Sequence, residues 1–168
     1  MPLNLTKIYN ALLDIVAMSN PQRTNSLRRV FHRDFEETSP NFQGKPVYPT
    51  PQNNGEVPMD TLFRHLTTVM VDRGTRQRCF EVERSRRLHW VRYHLDQKKA
   101  DNMWLFSVQE REGVRTYYYD KDENYVVVLE PLRDGKSYYL LTAYYIQGKD
   151  AQRNKMEKKY KRRLKEVL

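Results

Sequence analysis

Apolar side chains recur every three to four residues in the first part of the chain, which is the period of an amphipathic α-helix. Stripes of this kind run through three segments, residues 3–18, 25–37 and 59–72. Residues 38–58, between the second and third stripes, contain five prolines and two glycines, a composition that interrupts helices and central strands. The pattern therefore predicts three helices, with an irregular crossing before the third.

Beyond residue 100 the apolar period changes from about 3.6 to 2, and aromatic and β-branched residues become frequent. Turn sequences such as Arg133-Asp134-Gly135 separate four such runs, so the pattern predicts an antiparallel meander. The predicted strands are residues 103–108, 115–119, 125–130 and 137–145. Residues 150–168 place a few apolar side chains at helical spacing among many cations, which predicts a basic C-terminal helix.

Helices that precede the strands, without strand–helix alternation, indicate an α+β fold. We expect N-terminal helices packed on one face of a four-stranded antiparallel sheet, followed by the basic C-terminal helix. A chain of 168 residues is long enough for one domain with its own core. Within that domain, residues 1–57 are assigned to an N-terminal helical region and Pro-rich crossing, and residues 58–168 to the core that carries the sheet.

The net charge of +9 is concentrated in two segments, residues 73–99 and 149–168, each with nine Lys and Arg against three Asp and Glu. Clustered positive charge favours a polyanionic partner, with nucleic acid ahead of an acidic protein or an anionic membrane. No apolar run reaches the ~18 residues of a membrane span, and the first residues lack the order of a signal peptide. We therefore expect a cytoplasmic protein without a membrane partner. The single cysteine, Cys79, excludes an internal disulfide and a multi-cysteine zinc site.

The sequence ERSRRLHWVRYHL, residues 83–95, combines four arginines with two histidines, a tryptophan and a tyrosine. On a continuous helix, Arg86 and His89 lie opposite the apolar stripe, which predicts that the imidazole faces solvent. His89 is then either a solvated surface residue or an acid–base group that meets a phosphate held by Arg86 and Arg92. Trp90 also lies off the stripe, so it either packs under another element or stacks on a base.

Neither a metal site nor a nucleotide cofactor is expected from the sequence. His89 and His94 are five residues apart, a spacing unsuited to joint ligation from one helix. The stretch 120–124 begins like a calcium loop, but Tyr125 and Pro131 stand where such a loop requires glycine and glutamate. No Walker, dinucleotide-binding or serine-hydrolase motif is present. Cleavage of a phosphodiester would therefore be metal-independent, which favours RNA, because its 2′-hydroxyl can act as the nucleophile.

Metal-independent RNA cleavage requires a base, an acid and cations that stabilise the charge on phosphorus. Alternation along the last predicted strand puts Thr142 and Tyr144 on one face, as two hydroxyls able to orient a phosphate. The alternative is that both are polar residues on a solvated sheet face. In the basic tail, Lys155 is the candidate for a substrate contact, although such lysines are most often simply solvated.

Four of these elements, in this order, resemble the Barnase–EndoU–colicin–RelE-like superfamily of small metal-independent RNases, in particular its toxin and phage branch. The elements are the Arg-rich helix, Trp90-Val91-Arg92, the run Val126–Leu129 and the run Leu141–Tyr144. The resemblance covers roughly residues 78–160. It implies helices on one face of a four-stranded antiparallel sheet and an RNA cleft across the other. By matched position it assigns Arg87, Arg92 and Thr142 to the site, and Tyr93 stands where many relatives carry a proline.

We therefore expect a metal-independent endoribonuclease, as a toxin or prophage effector, that leaves a 2′,3′-cyclic phosphate. The catalytic set would be His89 as general acid or base, Arg92, Thr142 and Tyr144. The substrate-binding residues would be Arg86, Arg87, Trp90 and Lys155. An active toxin would also need a neutralising immunity or antitoxin protein of acidic character. The alternatives are a non-catalytic nucleic-acid-binding module, and a phage host-takeover protein that binds an acidic protein surface through the same cleft.

Overall fold

Five α-helices and eight strands are formed by residues 10–148 and 150–168, the residues that this computed structural model describes. The helices are α1 (Asn20–Phe31), α2 (Pro58–Thr67), α3 (Val82–Ser85), α4 (Leu88–Leu95) and α5 (Asp150–Lys161). The strands are β1 (Asn41–Phe42), β2 (Lys45–Pro49), β3 (Thr68–Asp72), β4 (Gln77–Phe80), β5 (Met103–Glu110), β6 (Gly113–Asp120), β7 (Tyr125–Pro131) and β8 (Tyr138–Tyr145). A π-helix, His32–Glu36, follows α1 directly. None of the described helices combines the length and the hydropathy of a membrane span.

The start of α1 is set by a capping box. Ser19 Oγ accepts a hydrogen bond from Gln22 N (3.4 Å), and the Gln22 side chain accepts one from Ser19 N (3.1 Å). Pro21 lies in the first turn, where its missing N–H has no intrahelical partner to lose. These signals start the helix before the predicted segment 25–37, and the part of that segment after Phe31 is π-helical.

The predicted helix 3–18 is wrong in its second half, because residues 10–18 form turns and extended chain; residues 3–9 lie outside the described part. Leu13 and Ile15 are buried while the residues on either side of each are exposed, which is the period of two of an extended segment. The backbone of this segment is also hydrogen-bonded to the end of α3, where Leu13 N donates to the carbonyl of Arg86 (2.9 Å). The predicted helical stripe thus grouped apolar residues that are buried in the structure with apolar residues that are exposed. An extended chain places neighbouring side chains on opposite sides, so only some of these residues reach the core.

The helix α2 ends at Thr67, five residues before the end of the third predicted helix. The residues that follow form β3, which pairs antiparallel with β4 in a two-stranded hairpin. The run Thr68–Val71 is rich in β-branched residues, and Asp72 Oδ1 closes the turn by accepting a hydrogen bond from Gly74 N (2.8 Å). The helix predicted over residues 68–72 is therefore wrong, and the hairpin is an addition to the predicted fold.

The four strands of the predicted meander are present as β5 to β8, each paired antiparallel with its neighbour in sequence. The sheet nevertheless contains six strands, in the order β1-β2-β8-β7-β6-β5. β2 pairs in parallel with β8 from Val47↔Tyr138 to Pro49↔Leu140, and β1 pairs antiparallel with β2. The predicted four-stranded antiparallel sheet is therefore wrong, because the sheet is larger and mixed. Pro49 is tolerated in β2 because β1 spans only two residues, pairs with Lys45 and Pro46, and leaves the outer edge at Pro49 unpaired.

Helices contact both faces of the main sheet. One core joins α1, α2 and α4 to sheet residues that include Tyr118 and Leu129. A second core, which contains Phe106 and Val126, is covered by Met156 of α5. The prediction that the helices pack on one face is therefore wrong. The physical reason is that β7 is apolar at successive positions, so both of its faces need cover.

A buried polar cluster joins α4 to the end of β6. The side chain of Asp120 is completely buried, with Oδ2 2.9 Å from His94 Nε2 and Oδ1 3.0 Å from Lys99 Nζ. His94 Nδ1 lies 2.7 Å from the carbonyl oxygen of Trp90, which fixes the orientation of the imidazole. One carboxylate thus pairs with two basic side chains, of which Lys99 also contacts the more exposed Asp122.

We expect Asp120→Asn to lower the free energy of unfolding by about 3–5 kcal/mol, because it removes a buried charge from a paired cluster. Asp122→Asn is the matched control. This second carboxylate also pairs with Lys99 but is 49% exposed, so its loss should cost about 0–1 kcal/mol. Urea unfolding of both variants measures the difference, and equal effects would show that the buried cluster has no special role in stability.

Candidate functional site

The histidine predicted to face solvent, His89, is buried, with 5% of its surface exposed. α3 and α4 are separate helices, and Arg86 and Arg87 between them leave regular helical geometry. This break changes the directions in which the residues of α4 point, so the His89 ring lies inside the protein, next to Trp90. The prediction that His89 faces solvent is therefore wrong. A catalytic role would require an RNA phosphate to reach a buried ring.

The side chain of Trp90 is packed, which is the first of the two alternatives considered for it. The residue is 2% exposed, and its ring meets that of Tyr125 edge-on, with 5.3 Å between centroids. The indole Nε1 donates a hydrogen bond to the carbonyl of Ala11 (3.3 Å) in the extended segment. The polar edge and the apolar faces are both in contact with protein, which disfavours stacking on a base.

The arginines of residues 83–95 make close contacts within the protein. Arg92 Nη1 donates to the carbonyl of Asp34 at 2.6 Å, and so connects α4 to the π-helix. Arg87 Nη1 lies 2.6 Å from Glu83 Oε2, and Arg86 Nη1 lies 3.4 Å from Glu83 Oε1. Arg87 is also buried. These contacts favour a structural role for Arg87 and Arg92 over the predicted contacts to phosphate.

The end of β8 brings other predicted residues to a cavity of about 410 Å³, which we name the Arg84 cavity. It lies between β3, α3, the end of β8 and α5, and Arg84, Tyr144 and Lys155 are among its lining residues. Thr142 lies beside it, with Oγ1 accepting a hydrogen bond from Arg84 Nη1 (3.3 Å). A register shift in the pairing of β7 with β8 occurs next to Thr142. Bulges of this kind redirect side chains near functional sites.

A second cavity, of about 490 Å³, was not predicted from the sequence; we name it the His65 cavity. It is enclosed by the loop before α2, by α2 itself and by the β3–β4 hairpin. Its lining residues are Gln52, Asn54, Glu56, Thr61, Arg64, His65, Met70, Arg76 and Arg78. The hairpin turn at Asp72 is what brings Arg76 and Arg78 back over the helix that carries His65. The cavity thus combines a histidine with three arginines and one carboxylate.

His65 is half-buried, and its surroundings hold its imidazole in the neutral form at pH 7. Burial lowers the pKa of His65 below its ordinary value, and the positive charges of Arg78, Arg64 and Arg84 lower it further. A hydrogen bond with the backbone of Leu141 acts in the opposite direction without reversing the shift. A neutral imidazole can accept a proton, and a hydrogen bond to the backbone fixes its orientation.

Two guanidinium groups converge beside this histidine. Arg78 donates to Thr68 through Nε to Oγ1 (2.8 Å) and through Nη2 to the carbonyl (2.9 Å). Arg84 Nη1 donates to the same carbonyl (3.0 Å) and to the carbonyl of His65 (2.7 Å). Burial lowers the pKa of both arginines, and for Arg78 the neighbouring Arg84 adds to the effect. Since arginine stays charged in proteins, this crowding of cations favours the binding of an anion.

Glu56 is the acidic residue of the cavity lining. A hydrogen bond from Arg64 lowers the pKa of Glu56, and a second from Thr61 (2.9 Å) adds to this, so the group is a carboxylate at neutral pH. Arg64 is therefore partly neutralised, while Arg76 and Arg78 make no ion pair in the described part of the chain. The positive potential of the cavity thus comes mainly from its hairpin side.

The sequence contains a signal for this site that its apolar pattern does not reveal. His65 lies within a predicted helix, and although the basic segment 73–99 includes Arg76 and Arg78, the candidate residues of that segment come from its part 83–95. His65 and the three arginines of the cavity lining, Arg64, Arg76 and Arg78, lie within fifteen positions of the sequence, but they are divided between a helix and a hairpin. Without the hairpin, nothing in the sequence places Arg76 and Arg78 near His65.

Among the residues that the structure describes, no three His, Cys, Asp or Glu side chains come together as a metal site. No family model matches the chain, and comparisons with curated proteins and with solved structures also found no match. The functional assignment therefore depends on the geometry and electrostatics of the two cavities.

We expect the imidazoles of His65 and His32 to titrate on opposite sides of pH 6.5. His65 should titrate below this value, because burial and arginines disfavour its charged form. Exposed His32 should titrate above it, because Glu36 stabilises the charged form. By linkage, protonation of His65 should weaken the fold as the pH falls through its folded pKa, whereas the contribution of His32 should fade as the pH rises through its own.

NMR titration of the imidazole C–H signals measures both values, with His65→Asn and His32→Asn used for assignment. In Arg78→Gln the pKa of His65 should rise towards 6.5, because one repelling charge is gone. A His65 signal that titrates above that value in the wild type would contradict the description of a neutral imidazole.

Proposed function

We propose that this protein is a metal-independent endoribonuclease and that its reaction takes place in the His65 cavity. The observation that supports the proposal is a half-buried imidazole, kept neutral by burial and by three arginines, at the wall of a basic cavity. A base with a pKa near or below neutrality and a set of cations are what cleavage of a phosphodiester by its own 2′-hydroxyl requires. We therefore assign to His65 the acid–base role that the sequence had suggested for His89.

In the proposed reaction, His65 accepts the proton of the ribose 2′-hydroxyl while the 2′-oxygen forms a bond to phosphorus. The bond from phosphorus to the 5′-oxygen breaks, and this oxygen takes a proton from water in the open cavity. Arg76 and Arg78 stabilise the negative charge on the non-bridging oxygens through charge-assisted hydrogen bonds. The products are a 2′,3′-cyclic phosphate and a free 5′-hydroxyl, and the protonated His65 returns its proton to solvent.

The cellular setting belongs to the same proposal. A net charge of +9 and two basic cavities suit a protein that acts on RNA in the cytoplasm. An RNase active there as a toxin or prophage effector would need a neutralising protein, and an acidic one would fit these cations. The resemblance to the Barnase–EndoU–colicin–RelE-like superfamily stays a proposal based on the motif residues alone. The four-stranded sheet that it implied is not part of the proposal, because the main sheet has six strands.

A non-catalytic nucleic-acid-binding module is the second candidate. The observation that favours it is that the described residues of the His65 cavity offer a base and cations but no protein group that is clearly placed as the acid. Phosphate binding by the same arginines would then be the whole function. The two candidates predict the same dependence of binding on salt and differ only in whether RNA is cut.

The deciding measurement is incubation of purified protein with cellular RNA in excess EDTA, followed by analysis of the fragment ends. We expect fragments with 2′,3′-cyclic phosphate, and a loss of about 10²–10⁴-fold in rate for His65→Ala, the usual contribution of a general base. The matched control is His32→Ala, which removes an exposed histidine outside the cavity and should leave the rate unchanged. RNA that stays intact while bound to the wild type would replace the proposal with the binding module.

The pH dependence of kcat/KM gives an independent check on the base. Since the free enzyme holds the pKa of His65 below 6.5, activity should persist at pH 6.5 and fall as the pH drops through the folded value. The acidic limb of kcat should lie at higher pH, because the bound phosphate stabilises the protonated ring. An acidic limb that does not move in Arg78→Gln would exclude His65 as its origin.

A further inference from the structure

We infer that the Arg84 cavity is a second phosphate-binding subsite, which holds the backbone phosphate adjacent to the one cleaved in the His65 cavity. The inference rests on the proposed function, because it names the substrate as a strand with at least two phosphates. In this inference Arg84, Lys155 and the end of β8 together bind the second phosphate. The observations that support it concern the donors of Arg84, the charge balance of the cavity and its position.

The guanidinium of Arg84 retains unused donor capacity beside this cavity. Its hydrogen bonds to His65, Thr68 and Thr142 are all donated by Nη1. Its Nε is buried and has no hydrogen-bond partner among the described residues. A buried cationic donor without an acceptor is costly, and such a group calls for a ligand or another explanation. A phosphate oxygen in the cavity that Arg84 lines would supply an acceptor close to the guanidinium.

The charges that line the cavity favour an anion in spite of one carboxylate. Lys155 is an exposed cation of α5 that lines the cavity together with Arg84. Glu81 also lines the cavity, but its carboxylate accepts the backbone N–H groups of Glu83 (3.0 Å) and Arg84 (2.7 Å). A third hydrogen bond comes from the side-chain amide of Gln147 (3.2 Å). These three hydrogen bonds fix the Glu81 carboxylate at the cavity wall, and Arg84 and Lys155 remain to contact the ligand.

The Arg84 cavity lies next to the His65 cavity, on the other side of β3. Val69 lines the Arg84 cavity and the next residue of β3, Met70, lines the His65 cavity, so the strand separates the two. Arg84 lines the first cavity and also contacts a residue that lines the second, since its Nη1 donates a hydrogen bond to the carbonyl of His65 (2.7 Å). A strand of RNA that crosses β3 would therefore present successive phosphates to the two cavities. The ring of Tyr144 adds an aromatic surface for a base on the second side.

The test compares cleavage of UpA, which has one phosphate, with cleavage of pUpA and UpAp, which carry a second phosphate on either side. We expect one of the two longer substrates to have a kcat/KM about tenfold or more above that of UpA, from an added charge-assisted contact. In Lys155→Gln the ratio of kcat/KM for the longer substrate to kcat/KM for UpA should shrink several-fold. Lys158→Gln is the matched control, because it removes the same charge from an exposed position of α5 that does not line the cavity.

Binding of an uncleavable 2′-O-methyl trinucleotide separates this inference from the proposed function. Lys155→Gln, but not Lys158→Gln, should weaken binding and reduce the slope of log Kd against log salt by about 0.7, the value for one lost contact to a single strand. This result would support the subsite even if no RNA were cut. Inorganic phosphate at millimolar concentration should compete with the trinucleotide at this site. Equal binding by both variants, with an equal advantage of the longer substrate, would overturn the inference whatever the outcome for His65→Ala.

Discussion

The hydrogen bonds of Arg84 Nη1 hold the two cavities in place. This one nitrogen joins the end of α2, the start of β3 and the unpaired part of β8, through His65, Thr68 and Thr142. β8 is paired with β2 only as far as Leu140, so beyond this point another group must satisfy and cover its edge. A cation held there by carbonyl groups places positive charge at the wall of the Arg84 cavity and close to His65, which is why the fold and the proposed chemistry depend on the same contact.

The cations of this chain fall into two classes that the sequence does not distinguish. Arg87 and Arg92 have close acceptors within the protein, and they connect elements of the fold. Arg76, Lys155 and their neighbours line open cavities, where a ligand can reach them. A basic segment therefore indicates an excess of charge, but only the positions of the protein's own acceptors decide which arginines remain for a partner.

Local periodicity was enough to predict part of the fold and little of the site. The meander β5 to β8 follows from alternation and turn residues, which act between neighbours in sequence. β2 could not be found in this way, because its partner β8 is distant in the chain and its prolines argue against a strand. The same limit applies to the site. Tyr144 and Lys155 lie in a cavity, but His89 was assigned from a continuous helix that in fact breaks at Arg86 and Arg87.

The parallel pairing of β2 with β8 also determines the order in which the molecule can assemble. Val47 and Tyr138, which pair in this register, are 91 positions apart, whereas the strands of the meander pair across short turns. Closing so long a loop carries a larger entropic cost, so contacts of this kind form late in folding. α2 and the hairpin lie inside that loop, and with them most of the His65 cavity. We therefore expect a folding chain to complete its aromatic meander first, whereas the contacts that join the His65 cavity to β8, such as that of His65 with Leu141, form when the ends of the loop meet.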